Sequence, residues 1–106
     1  MSYDIYLKQM VTEEKEVADI GNYTSNVCDM WEKALGMPLK RLDSMTAEFA
    51  IPYLAIGIKN MTDNPQEYEE MNPDNGWGDY DGALNYLVEL LEGCKKFPNS
   101  RICMDC

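Results

Sequence analysis

The sequence predicts an α+β fold: a small antiparallel sheet made from the N- and C-terminal strands, with three or four helices packed on one face. Three observations predict it. Tyr3, Ile5 and Leu7 alternate with Asp4, Tyr6 and Lys8, the period-two pattern of a half-buried strand. Tyr80, Ala83, Leu84, Leu87, Leu91 and Cys94 form one apolar stripe at helical spacing over 80–96. At the far end of the chain, residues 101–104 return to strand-forming types and can pair with 3–7.

The elements between follow in order. A polar connection over 12–15 leads to a short second strand over 16–20, ended by Gly21. Thr24 or Ser25 is positioned to N-cap a helix whose face is Val27, Met30, Trp31, Ala34 and Leu35. Gly36 ends that helix, Pro38 follows, and 37–43 is a connector. Phe49, Tyr53, Leu54, Ile58 and Met61 keep helical spacing, and Pro52 fits a first helical turn better than an interior. The expectation is a short turn over 46–50 and a helix over 51–60, with one kinked helix as the alternative. Asn64 as N-cap and Pro65 at the first position open a short acidic helix over 66–71. Residues 72–82 (Asn-Pro-Asp-Asn-Gly-Trp-Gly-Asp-Tyr-Asp-Gly) predict irregular backbone with positive φ at several positions. Lys95 and Lys96 suit the C-terminal end of the long helix, and Pro98-Asn99 closes it. With no repeat, linker or low-complexity tract, residues 1–106 read as a single domain.

Composition bounds the function. The 106 residues are 45% hydrophobic and 26% charged, a globular balance. Nine basic residues against nineteen acidic ones give a net charge of −10. That opposes direct binding to nucleic acid or an anionic membrane, whose phosphates would be repelled, and suits a basic partner. The absence of histidine excludes Ser-His-Asp and Cys-His catalysis and any His-ligated metal. No apolar run has the length of a membrane span. The first residues show no basic region followed by an apolar core, so a cytoplasmic protein is expected.

Four cysteines, Cys28, Cys94, Cys103 and Cys106, then read as reduced thiols. The Cys-x-x-Cys at 103–106 has a zinc-like spacing but no second close pair. Whether Cys94, Cys103 and Cys106 take part in a metal site or a disulfide stays open.

Two segments carry the candidate site. In 72–82, Asn72, Asn75, Asp79 and Asp81 offer hydrogen bonds to a polar edge while Trp77 or Tyr80 offers a stacking face. The plain alternative has Trp77 in the core and the asparagines capping their own turns. A calcium loop is not expected, because the terminal glutamate of that pattern is missing. In 21–26, Asn22, Tyr23, Thr24 and Asn26 lead into a helix start whose free N–H groups favour an anion, with the nearby hydroxyls and amides completing a site, against the alternative of ordinary capping by Thr24 or Ser25. The carboxylates Asp63, Glu67, Glu69 and Glu70 read as a solvated face rather than an acid–base pair. Ligand-binding residues are therefore expected at Asn22, Tyr23, Thr24, Asn26, Asn72, Asn75, Trp77, Asp79 and Tyr80. No catalytic residue, metal or cofactor is expected.

The stretches 2–7, 21–27, 30–31 and 72–80 resemble small acidic, uncharacterised proteins of bacteria and their phages. The resemblance transfers no catalytic residue. It implies a cytoplasmic setting and a phage–host origin.

The expected function is a noncatalytic binding module that recognises a protein partner or a small polar ligand in a cleft where the two segments meet. The alternative is an acidic inhibitor that occupies the groove of a basic, nucleic-acid-binding host protein. A metal-assisted enzyme using Asp79 or Asp81 is the least favoured class, and the sequence leaves the oligomeric state open.

Overall fold

The computed structural model describes residues 2–10 and 14–105. The expected connection at Thr12 and Glu13 and the terminal Cys106 lie outside the described residues. Strands β1 (Ser2–Met10), β2 (Glu14–Thr24) and β3 (Arg101–Asp105) make an antiparallel sheet in the order β2-β1-β3. Four helices accompany it: α1 (Cys28–Leu35), α2 (Ala47–Asp63), α3 (Pro65–Glu69) and α4 (Tyr80–Lys96). The α+β fold class and the pairing of the two chain ends are thus as the sequence predicts.

One apolar cluster joins sheet and helices. Ile5, Leu7 and Ile102 point into it from the strands; Trp31, Leu54, Leu87 and Leu90 meet them from the helices. Trp31 is fully buried, and its indole N–H donates to the Ala83 carbonyl of α4 at 3.0 Å. Burial of apolar area supplies most of the driving force, and the indole bond removes the cost of hiding that donor.

Strand β2 is longer than expected and runs straight through Gly21. Its alternation is broken because it carries two irregularities: Ile5 pairs with Gly21 and Tyr6 with Asp19, skipping Ile20, while Leu7 pairs with Ala18 and Lys8 with Glu16, skipping Val17. In a regular strand, residues three apart face opposite sides. The two bulges let Val17, Ile20 and Tyr23 all pack against the core.

Helix α2 also differs from expectation. It is one helix with Pro52 inside it, not a turn followed by a helix. Its start is held by distant partners: the Ala47 N–H donates to the Ser100 carbonyl (2.8 Å) and the Glu48 N–H to the Pro98 carbonyl (3.0 Å). These bonds satisfy first-turn donors that a local reading leaves orphaned. Pro52 and Glu48 are both exposed, so the carbonyl that loses its helical partner at the proline lies on the water side. The buried face is Ala47, Ala50, Leu54, Gly57 and Met61; Phe49 and Tyr53, expected to share it, face solvent. Gly57 permits the close approach of α1, since a Cβ there would lie 2.6 Å from Leu35 Cδ2.

Two smaller departures follow. Asn64 does not cap α3 through its side chain; its Nδ2 donates back to the Asn60 carbonyl at 3.1 Å and closes α2 instead. The connector after α1 contains a 3₁₀ turn, Leu39–Leu42, with both leucines buried. Gly36 takes the left-handed conformation (φ 78°) that ends α1, as expected. No helix among the described residues is long and apolar enough to cross a membrane.

Candidate functional site

At the end of the sheet where α4 begins, the strand end 22–24, the following turn and the loop 75–78 come together. They enclose an open recess of about 730 Å³ lined by Ser2, Asn22, Tyr23, Thr24, Asn26, Asn75, Trp77 and Gly78. This volume falls within the range typical of small-ligand sites. None of the lining side chains is ionisable near neutral pH, although the chain as a whole carries −10.

Tyr23, which lines the recess, rests on a buried aromatic stack. Tyr23 lies on Tyr86 with centroids 5.8 Å apart and planes at 29°, and Trp31 lies on Tyr86 at 5.6 Å and 27°. Tyr3 closes edge-on against Trp31 at 5.4 Å. The Tyr86 hydroxyl donates to the Gly21 carbonyl at 2.7 Å, with the Tyr3 carbonyl at 3.3 Å. Burial pushes the Tyr86 phenol well above its ordinary value. The support beneath Tyr23 is therefore fixed and neutral.

The two walls are joined by direct contact. The Asp79 backbone N–H donates to the Tyr23 hydroxyl at 3.1 Å. Gly78 adopts φ 90°, and a Cβ there would lie 2.6 Å from Thr24 Cγ2, so two independent reasons require glycine at that position. Gly76 also has positive φ, at 75°. Between these glycines, Trp77 is held out with 69% of its surface exposed. Its backbone N–H donates to Asn75 Oδ1 at 2.9 Å, a local turn that fixes where the indole departs from the chain. Trp77 is therefore not a core plug.

The expected site residues divide. Asn22, Tyr23, Thr24, Asn26, Asn75 and Trp77 share the recess. Asn22 Nδ2 donates to Ser2 Oγ at 2.8 Å, and Thr24 Oγ1 accepts the Asn26 N–H at 3.3 Å, which N-caps the turn leading to α1. Asn72, Asp79 and Tyr80 are not among the lining residues. Asn72 Oδ1 accepts the Tyr80 N–H at 2.8 Å, and Asp79 Oδ1 accepts the Gly82 N–H at 2.8 Å as the N-cap of α4. Tyr80 offers no stacking face: its ring is buried, and its hydroxyl donates to the Met61 carbonyl at 2.6 Å. These three start the long helix and hold the loop in place. Sequence reasoning missed Ser2 and Gly78. Ser2 comes into the recess only because it pairs with Thr24 across the sheet, and Gly78 because it must let Thr24 approach.

The thiols lie elsewhere. Cys94 is buried within the core cluster, and that burial pushes its thiol up to about 11. Cys103 is on the sheet face opposite Ile102 and Met104, and Cys28 is exposed. Among the described residues, no group of three or more Cys, Asp or Glu side chains is placed to hold a metal ion. Compared with protein-family models, with curated proteins and with solved structures, the chain matches none.

Proposed function

We propose that the protein is a noncatalytic binding module whose recess takes an uncharged, hydrogen-bonding group with a flat apolar face, such as a pyranose ring or a neutral heterocycle. The group belongs to a small polar ligand or is displayed on a partner protein. The observation that carries this reading is Trp77, 69% exposed over a pocket with no carboxylate, ammonium or guanidinium in its lining. An indole held open by backbone constraints has the geometry for stacking, and its neighbours Asn22, Asn26 and Asn75 supply both donors and acceptors. The surrounding charge argues against an anionic ligand. Every charged residue from Asp63 to Glu92, a stretch that includes the Trp77 loop, is acidic.

Tryptophan emission tests the proposal. Trp31 is buried, so a shift on adding ligand reports on Trp77. Titration with neutral oligosaccharides, nucleosides and amide-bearing peptides is expected to give a saturable blue shift with one of these classes. The Trp77→Ala protein is expected to bind that ligand at least about tenfold more weakly, a loss of about 1.4 kcal/mol. Equal affinity of the two proteins ends this assignment of the recess.

The same acidic block supports a second reading, a phage-type inhibitor acting on a basic, nucleic-acid-binding protein. That complex would weaken as salt rises, because it depends on unscreened charge. A complex indifferent to salt counts against it. The buried thiol of Cys94 suits a reducing, cytoplasmic setting under either reading.

A further inference from the structure

Helix α2 exposes a second apolar surface, unconnected with the recess. Phe49 is 65% exposed, Tyr53 44% and Ile56 56%. They follow the spacing i, i+4, i+7 and so fall within about 60° of one another around the helix. Scattered exposed hydrophobics are ordinary, but three large ones aligned on a single helix face are not. Pro52 and Ala55, also exposed, extend the apolar strip on one side.

The charges beside the strip indicate what covers it. In α2 the charged side chains are Glu48, Lys59 and Asp63, and Lys59 already pairs with Asp63 at 2.6 Å. The helix thus carries a net charge of −1, and Lys59, still largely exposed, keeps donors for a second carboxylate. The helix is complementary to itself. Two copies of α2 packed antiparallel about a two-fold axis, with Phe49 of one opposite Ile56 of the partner subunit, have their centre between Pro52 and Tyr53. Glu48 and Lys59 lie on the same flank of the strip, about 20° apart around the helix. An antiparallel two-fold brings like flanks together. The register that stacks Phe49 on the partner's Ile56 then places Glu48 about 3 Å along the axis from Lys59 of the partner subunit. One register satisfies both the apolar and the ionic contacts, and it does so twice by symmetry.

We infer that the exposed Phe49–Tyr53–Ile56 face of α2 is a homodimer interface in which two copies pack antiparallel, Glu48 of each facing Lys59 of the other. The helix is 17 residues long, about 25 Å, which puts the contact at the small end of specific interfaces. The dimer is correspondingly weak and forms with rising concentration.

Sedimentation equilibrium from about 5 µM to about 1 mM tests this. The apparent mass is expected to rise from 12.2 kDa towards twice that value. Ile56→Glu and Phe49→Glu are each expected to weaken dimerisation at least tenfold. Both positions are solvent-facing, so circular dichroism and thermal midpoint serve as folding controls. Glu48→Lys alone is expected to weaken the dimer several-fold, and the exchange Glu48→Lys with Lys59→Glu to recover most of the loss. Trp77→Ala is expected to leave the dimer unchanged, which separates this result from the fate of the recess. A chain that stays monomeric to 1 mM overturns the inference. So does a dimer indifferent to Ile56→Glu, which would place the contact elsewhere, or a charge exchange that recovers nothing, which would reject the register.

Discussion

The ring of Tyr23 covers Gly82 so closely that a Cβ at Gly82 would fall within the van der Waals radius of the Tyr23 hydroxyl. The relationship joins the end of β2 to the first turn of α4, and through the Asp79 N–H it also sets the position of the 75–78 wall. Gly82→Ala would ordinarily stabilise a helix by up to about 1 kcal/mol. Here it must displace the ring from its place on Tyr86. The expected result is a net destabilisation of about 1–3 kcal/mol, read as a lower urea midpoint. In a Tyr23→Ala background the clash is gone, and the same substitution is expected to become neutral or favourable. A change of sign across this double-mutant cycle is the signature of the contact. If Gly82→Ala is stabilising in the wild-type chain, the packing described for Tyr23 is wrong.

Tyr86 ties the aromatic stack beneath Tyr23 to the backbone. Its hydroxyl is the donor to the Gly21 carbonyl at the bulge, where the strand ladder is interrupted. Tyr86→Phe keeps the stack but removes that donor from the Gly21 carbonyl. We expect a loss of about 1–2 kcal/mol in chemical denaturation. Because Gly21 adjoins Asn22, amide exchange at residues 22–24 is expected to speed up more than exchange at the centre of α4. Uniform acceleration over the whole chain would show that the hydroxyl acts on global stability alone.

How much of this was legible in the sequence depended on how local the cause was. The long helix over 80–96 and the outer strand over 101–104 were readable because their apolar spacing is regular and their ends carry ordinary signals. The extent of β2 was not, because the bulges at Val17 and Ile20 remove the alternation that marks a strand. The start of α2 was not, because its first donors are satisfied by Pro98 and Ser100, some fifty residues away. In the candidate site, the unusual clustering of asparagines, glycines and aromatics located both walls. Which members would face the recess was not readable. Asn72 and Asp79 have the same chemistry as Asn75, and only the fold decides that they hold the helix start while Asn75 lines the space.

Alkaline pH should weaken the fold in a defined order. Burial raises the Cys94 thiol from an ordinary 9.0 to about 11. The unfolded chain therefore loses this proton from about pH 9, while the folded chain holds it to about 11. Below pH 9 the group is neutral in both states and stability is unaffected by it. Between 9 and 11 the unfolded state alone gains by ionising, so stability falls as pH rises. The tyrosines Tyr86, Tyr80 and Tyr68, each raised by burial from an ordinary 10.0, extend the fall to higher pH. Cys28, raised by burial and by Asp29, adds to the first phase. Urea midpoints are expected to be level from about pH 7 to 8.5 and to decline from about pH 9 upwards. Cys94→Ala is expected to reduce the earliest part of the decline. A midpoint that rises above pH 9 would contradict the sign argued here.

The division of the expected site residues into lining and scaffold gives the sharpest test, because the two groups should respond in opposite ways. Trp77 and Asn26 are exposed. Trp77→Ala and Asn26→Ala are expected to shift stability by no more than about 0.5 kcal/mol while weakening whatever binds in the recess. Tyr80 is buried and donates to Met61, so Tyr80→Phe leaves a buried carbonyl without that donor. It is expected to cost about 1–2 kcal/mol of stability with little change in affinity, so long as the protein remains folded. Asp79→Ala removes the side-chain acceptor at the start of α4 and is expected to cost about 1 kcal/mol. It leaves in place the Asp79 backbone N–H that holds the loop against Tyr23, so affinity is expected to change little while the protein remains folded. Thermal denaturation and ligand titration on the same four variants check both axes together. A Tyr80→Phe protein that keeps its stability but loses binding would put Tyr80 in the site and overturn its role as scaffold.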